Sequence, residues 1–85
     1  MRVLYFAWVR EQVGLGEEEV APPATVRTVG DLISWLAKRS PGHAAALADR
    51  ARLRAAVDGD FAGLDADVGG AAEVAIFPPV TGGAA

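Results

Sequence analysis

Val29, Leu32, Ile33 and Leu36 stand at i, i+3, i+4 and i+7, the spacing that lines one face of an α-helix. Thr28 can cap the free amides at the start of that helix, and Asp31, three residues on, sets a negative charge against its positive end. The pattern predicts a helix over residues 28–39, the one strongly amphipathic helix in the chain. With 85 residues there is room for a single small domain, burying about 60 to 65% of its unfolded surface. A single apolar stripe needs one covering layer, and short strands must supply it.

Residues 1–6 read as a strand, with Val3 and Tyr5 on one face and Leu4 and Phe6 on the other. Both faces are apolar, so both require cover. Residues 8–13 can form one or two helical turns before Gly14-Leu15-Gly16 reverses the chain into an acidic strand near 17–20. Pro22-Pro23 breaks that strand, and residues 25–27 cross over to the main helix, where Trp35 lies beside the stripe and completes the core. Ser40-Pro41-Gly42 ends the helix. Residues 43–54 are Ala-rich, with Leu47 and Leu53, and predict a second, weakly amphipathic helix leading into a strand at 54–57. Asp58-Gly59-Asp60 is a turn, 61–67 is irregular, Gly69-Gly70 is another turn, and 73–77 is the last strand. The expected class is α+β, a four- or five-stranded mixed sheet with helices on one face. Val3, Val29, Leu32, Ile33, Leu36, Val57, Val74 and Ile76 are expected to be buried.

The net charge of −3 and the pI near 4.9, with basic residues scattered along the sequence, argue against nucleic acid or an anionic membrane as partner and favour partners with a basic rim. The chain contains no cysteine, so any sulfur chemistry belongs to another group. Without a charged-then-apolar leader or an apolar run near membrane length, a cytoplasmic location is expected. His43, the only histidine, is expected to be solvent-exposed at a helix start, without the partners a metal site needs. Asp58-Gly59-Asp60 lacks the later ligands of a calcium loop. No nucleophile–base pair or phosphate-cradling loop appears, so no catalytic group of the chain's own is expected.

The strand ending at Phe77 runs into Pro78-Pro79, which cannot donate to a sheet ladder, and then into Val80-Thr81-Gly82-Gly83-Ala84-Ala85. The expected organisation is a domain over 1–79 and a flexible Gly-Gly tail over 80–85. Gly- and Ala-rich ends commonly fray and carry no message. Alternatively, glycines let a backbone thread a passage too narrow for any Cβ and present a carboxylate beyond it. From Val80 to Gly83 the extended reach is roughly 14 Å.

Phe77-Pro78-Pro79-Val80-Thr81-Gly82-Gly83 resembles the C-terminal signature of the MoaD-type sulfur carriers, the small subunits of molybdopterin synthase, relatives of the thiamine sulfur carrier and of ubiquitin. Residues 5–14, Tyr5-Phe6-Ala7-Trp8-Val9-Arg10-Glu11-Gln12-Val13-Gly14, and Ala56-Val57 resemble the same family. The resemblance implies a β-grasp fold with the first and last strands parallel at the sheet centre. It implies that an activating partner resembling the ubiquitin-activating enzymes, an adenylyltransferase, uses ATP to adenylate the Gly83 carboxylate, and that sulfur then replaces AMP to give a thiocarboxylate. The chain itself would bind no cofactor and no metal. Its sulfur would pass to a pyranopterin precursor inside the large subunit, as part of a heterotetrameric sulfurtransferase. Gly82 and Gly83 are then the reacting end, and Phe6, Phe61, Phe77, Pro78, Pro79, Val80 and Thr81 the partner contacts, the three phenylalanines forming one exposed patch on the sheet face away from the helix. The alternative is a ubiquitin-like modifier, or a carrier for thiamine, cysteine or tRNA thiolation. The chain departs from the family at Gly70-Ala71-Ala72-Glu73 and Ala56-Val57-Asp58, both in turns, and at Ala84-Ala85, which put the Gly83 carboxyl in a peptide bond. Those two residues are a precursor segment trimmed by a peptidase, an appendage added for expression, or the mark of a member that no longer carries sulfur.

Overall fold

The structure is a computed structural model and describes residues 1–79. The elements run β1 (Arg2–Tyr5), α1 (Ala7–Val13), β2 (Glu17–Glu19), α2 (Val29–Leu36), α3 (Pro41–Ala46), a 3-10 turn (Arg50–Arg52), β3 (Arg54–Val57), β4 (Asp60–Ala62) and β5 (Glu73–Phe77). They build a five-stranded sheet in the order β2-β1-β5-β3-β4. The first and last strands are neighbours and parallel, Val3 beside Val74 and Tyr5 beside Ile76, while every other pair is antiparallel. This is the expected mixed sheet, and β5 lies at its centre.

Alternation along the strands assigns the two faces. Val3, Tyr5, Ala55, Val74 and Ile76 are buried in one core cluster with Val29, Leu32, Ile33 and Leu36 of α2. Of the eight residues expected in the core, Val57 is the exception and is only partly buried. It adjoins the β3–β4 turn, where the strand end leaves one side open to water, and Ala55 takes the fully covered position. The capping expectation holds in detail: the Asp31 N–H donates to Thr28 Oγ1 at 3.1 Å, and the Arg27 and Thr28 N–H groups donate to Asp31 Oδ2 at 3.1 and 3.3 Å. Those amides, from Arg27 first and then Thr28, hold the Asp31 carboxyl below its ordinary value.

Four local expectations are corrected. Helix α2 stops at Leu36 rather than near 39, because Lys38 and Arg39 close i→i−3 bonds and Ser40, preceding Pro41, is extended (φ −162°, ψ 165°). Ser40-Pro41-Gly42 starts a helix as well as following one: the Ser40 hydroxyl caps the His43 N–H, and Pro41 takes the first helical position. The helix expected over 43–54 is two pieces, because the Asp49 side chain accepts the Ala51 N–H and diverts the backbone, while Leu47 and Leu53 both reach the core. The segment expected to be irregular from 61 begins as strand β4. Asp58 (φ 48°) and Gly59 (φ 90°) both take positive φ, the geometry of a two-residue hairpin turn.

His43 is not exposed: 5% of its surface reaches solvent. Its carboxylate partner is Glu18, distant in sequence and brought to the core side of β2, opposite Val3. The chain itself covers only one face of the first strand: Leu4 is half-buried, and Phe6, expected in the exposed patch, is exposed.

Candidate functional site

The uncovered sheet face is assembled by register. Leu4, Ala75, Ala56 and Phe61 face one another across four strands, two alanines keeping the middle of that row low. The next row brings Arg54 opposite Phe77, one residue beyond the Tyr5–Ile76 pair. The rings of Phe61 and Phe77 meet at 6.0 Å between centroids, inclined at 56°. Phe61 is 83% exposed on its edge strand and Phe6 47% exposed, while Phe77 is half-buried between its neighbours.

Phe6 reaches this face through an unusual backbone. It precedes α1 in an extended conformation and has no side chain able to cap, and Ala7 takes the left-handed φ of 54° to turn the chain into the helix. The Phe6 N–H donates to the Ile76 carbonyl at 3.2 Å, tying the end of β1 to the strand that leads into the tail. At the opposite end of the face the surface is ionic: Arg2 bridges Glu17 and Glu73 at 3.6 Å each, and the Met1 amino group meets Glu19 at 2.9 Å. The face is therefore apolar near the tail and charged away from it.

Pro78 and Pro79 are half-buried directly after β5, and Pro79 lines a groove of about 510 Å³ together with Arg54, Phe61, Ala62 and Phe77. Of the residues expected to contact partners, Phe6, Phe61, Phe77, Pro78 and Pro79 thus gather at one end of the sheet. Val80, Thr81, Gly82 and Gly83 lie outside the described residues. So does the expectation of a flexible tail over 80–85. Among the described residues no cluster of three or more His, Asp or Glu side chains could hold a metal ion, and no helix is long and apolar enough to cross a membrane.

A buried polar cluster lies on the other side of the sheet, unforeseen in the sequence. The Tyr5 hydroxyl donates to Glu18 Oε2 at 2.6 Å, His43 Nε2 meets the same oxygen at 2.6 Å, and Arg39 Nε stands 3.3 Å from Oε1. Ser40 Oγ is 2.7 Å from His43 Nδ1, and the Tyr5 and His43 rings meet edge to face at 5.9 Å. Burial alone would raise the Glu18 pKa, but the hydrogen bonds of Tyr5 and His43 and the charges of His43 and Arg39 outweigh it and hold the carboxyl below its ordinary value. Burial, reinforced by the Glu18 carboxylate, pushes the Tyr5 phenol well above its ordinary value. Every buried side-chain polar atom among the described residues has a partner. Satisfied within the fold, the cluster fastens β1 and β2 to α3.

The family model described as the ThiS family matches residues 3–83. The chain is 45% identical over 83 residues to the molybdopterin synthase sulfur carrier subunit of Escherichia coli (strain K12), covering 98% of this chain and 99% of that protein. Among solved structures it is similar to SAMP1 from Haloferax volcanii, with a TM-score of 0.71, 28% identity and 98% of both chains covered. It is also similar to a putative molybdopterin converting factor, subunit 1, from Pyrococcus furiosus, with a TM-score of 0.67, 30% identity and 93% of this chain and 95% of that chain covered. The mixed five-stranded sheet with its parallel central strands and its covering helices is that of the ubiquitin-like β-grasp proteins. With its sheet, its Pro-Pro exit and nearly its whole length matched, the chain belongs to the ThiS family.

Proposed function

We infer that this chain is the sulfur carrier subunit of a cytoplasmic molybdopterin synthase, with Gly83 as the atom-transferring end. The observation that carries the reading is the 45% identity, over 98% of this chain, to a molybdopterin synthase sulfur carrier subunit. The family match also runs to Gly83 and leaves Ala84 and Ala85 outside it.

In this reading an adenylyltransferase partner binds ATP and the chain binds no cofactor of its own. A Gly83 carboxylate oxygen attacks the α-phosphorus of ATP and pyrophosphate leaves. Hydrosulfide then adds to the activated carbonyl and AMP departs, leaving a thiocarboxylate. Its sulfur is anionic and nucleophilic at neutral pH, which suits transfer to a pyranopterin precursor held by the large subunit, with two carriers and two large subunits forming a heterotetramer. The acid–base groups belong to the partners. What this chain supplies is position: Gly82 and Gly83 fit a passage closed to any Cβ, and the Phe6, Phe61, Phe77 face with Pro78, Pro79, Val80 and Thr81 docks the body that aims them.

Ala84 and Ala85 place the terminal carboxylate about 7 Å past the reacting position, two residues at about 3.5 Å each. A misplacement of about 1 Å can cost about a hundredfold in rate, so the form ending at Gly83 is the active one. Both forms are mixed with the activating enzyme and ATP, and acyl-adenylate is measured. The form ending at Gly83 should react, and its product should gain the mass of sulfur in place of oxygen once a sulfur donor is supplied. Equal reaction of the 85-residue form would overturn the assignment of Gly83. Similarity to the solved small archaeal modifier protein 1 of H. volcanii favours a second reading, a modifier whose Gly83 carboxyl is joined to lysines. Isopeptide adducts in place of the thiocarboxylate would support it.

A further inference from the structure

A second groove, of about 490 Å³, adjoins the sheet face at the start of β3 but opens beside α2. Its apolar wall is Val29, Ile33, Leu53 and Leu64, and its rim carries Arg50 and Arg54. Leu64 is 44% exposed there.

Arg2 and Arg39 pair with carboxylates, but among the described residues neither Arg50 nor Arg54 does. Both are nonetheless held. Arg50 donates through Nη2 to the Ser34 hydroxyl, and Arg54 donates through Nη1 to the Leu53 and Ala51 carbonyls at 2.8 and 3.2 Å. A guanidinium has five N–H donors, so each retains free ones in a fixed orientation. The amides at the start of α2 cannot serve an anion instead, because Val29 and Gly30 donate to the Ala66 and Leu64 carbonyls at 2.9 and 2.8 Å and Asp31 donates to Thr28. Positioned arginines over an apolar floor are thus the recognition chemistry this groove offers. The groove shares Arg54, Ala55, Ala62 and Gly63 with the one at Phe61 and Phe77, so the two form one elongated depression that suits an extended segment better than a compact ligand.

We propose that this groove binds an extended segment of a partner protein in which glutamate or aspartate carboxylates flank branched apolar side chains, the carboxylates on Arg50 and Arg54 and the apolar groups against Leu64 and Ala62. The site uses neither the tail nor its activation, but it is continuous with the Phe61–Phe77 groove that the proposed function assigns to docking. It also gives a chain of net charge −3 a local basic contact, which an average over its whole surface conceals.

The probe is a fluorescein-labelled Glu-Leu-Leu-Glu amide, titrated by anisotropy against the full 85-residue protein. Saturable binding is expected, weakening about tenfold on raising NaCl from about 0.05 to about 0.5 M and about tenfold in Arg50→Gln. Charge reversal should switch the preference, Arg50→Glu favouring a Lys-Leu-Leu-Lys probe. Leu64→Asp, at an exposed position that folding tolerates, should abolish binding of the Glu probe. No saturation at millimolar probe would overturn the proposal, as would equal affinity for a Gln-Leu-Leu-Gln probe or unchanged binding by an Arg50→Gln protein with parental melting temperature. Self-association in sedimentation that competes with the probe would assign the groove to a second copy and overturn it equally.

Discussion

Tyr5 and His43 converge on a single oxygen of Glu18, while Arg39 reaches the other. Tyr5 is 1% exposed, so Tyr5→Phe keeps the packing and removes one hydrogen bond to a charged acceptor. A loss of about 1.5 to 3 kcal/mol is expected in urea denaturation. The pH dependence follows from the direction of the Glu18 shift. A carboxyl held below its ordinary 4.5 in the folded protein binds protons more readily when unfolded, so its contribution is present above about pH 4.5 and is lost as pH falls through the lower folded value. Thermal melts should therefore show an acid-side fall in stability that is shallower in Glu18→Gln. The Tyr5 phenol acts at the other end of the scale: raised above its ordinary 10.0, it favours the folded state below that value and the benefit is lost as pH rises beyond it.

Between elements, α3 approaches the end of α1 closely at Gly42. A Cβ on Gly42 would lie 2.4 Å from the Gln12 carbonyl oxygen and 3.3 Å from that of Val13, both backbone atoms that cannot swing aside. Gly42→Ala should force the helices apart and cost about 1 to 3 kcal/mol, read as a lower denaturation midpoint with an unchanged slope. The tail's base depends on a different contact, the placement of β5 between β1 and β3. Paired with β1 up to Ile76 and with β3 up to Phe77, the strand delivers Pro78 and Pro79 from the middle of the sheet, where a frayed edge cannot shift them. The prolines then end the ladder because they have no N–H to donate.

For the whole molecule, the important asymmetry is between two sheet faces, one sealed by α2 and the buried cluster, the other carrying Phe6, Phe61 and Phe77 beside the tail's origin. Phe61, 83% exposed, contributes little to the fold and is the clean probe of docking. Burying a phenylalanine gains about 1.5 to 3 kcal/mol, so Phe61→Ala should weaken binding to the large subunit about tenfold or more in calorimetric titration and leave the melting temperature unchanged. Phe77→Ala should weaken binding further and also lower the melting temperature slightly, because Phe77 is half-buried and its ring packs at an incline against that of Phe61. If Phe61→Ala binds as the parent does, this face is not the docking surface.

Helix α2 was legible in the sequence because its signals are local: a stripe repeating within four residues and a cap that closes across three. The last strand and its Pro-Pro stop were legible for the same reason, and the tail motif pointed to the family without any geometry. The Asp58-Gly59 hairpin was also local and could have been read, since Asp-Gly between extended segments favours positive φ at both positions. Only the tertiary structure decided the rest. His43 is buried because the pairing of β2 with β1 carries Glu18 to the core side, and nothing within a few residues of His43 announces a carboxylate 25 positions away. Arg50 and Arg54 form a rim because the 3-10 turn and β3 bring them to one groove beside α2, although basic residues look scattered along the chain. Local propensity depends on neighbours three or four residues apart, whereas burial, ion pairing and the sharing of a face depend on which distant strands lie side by side.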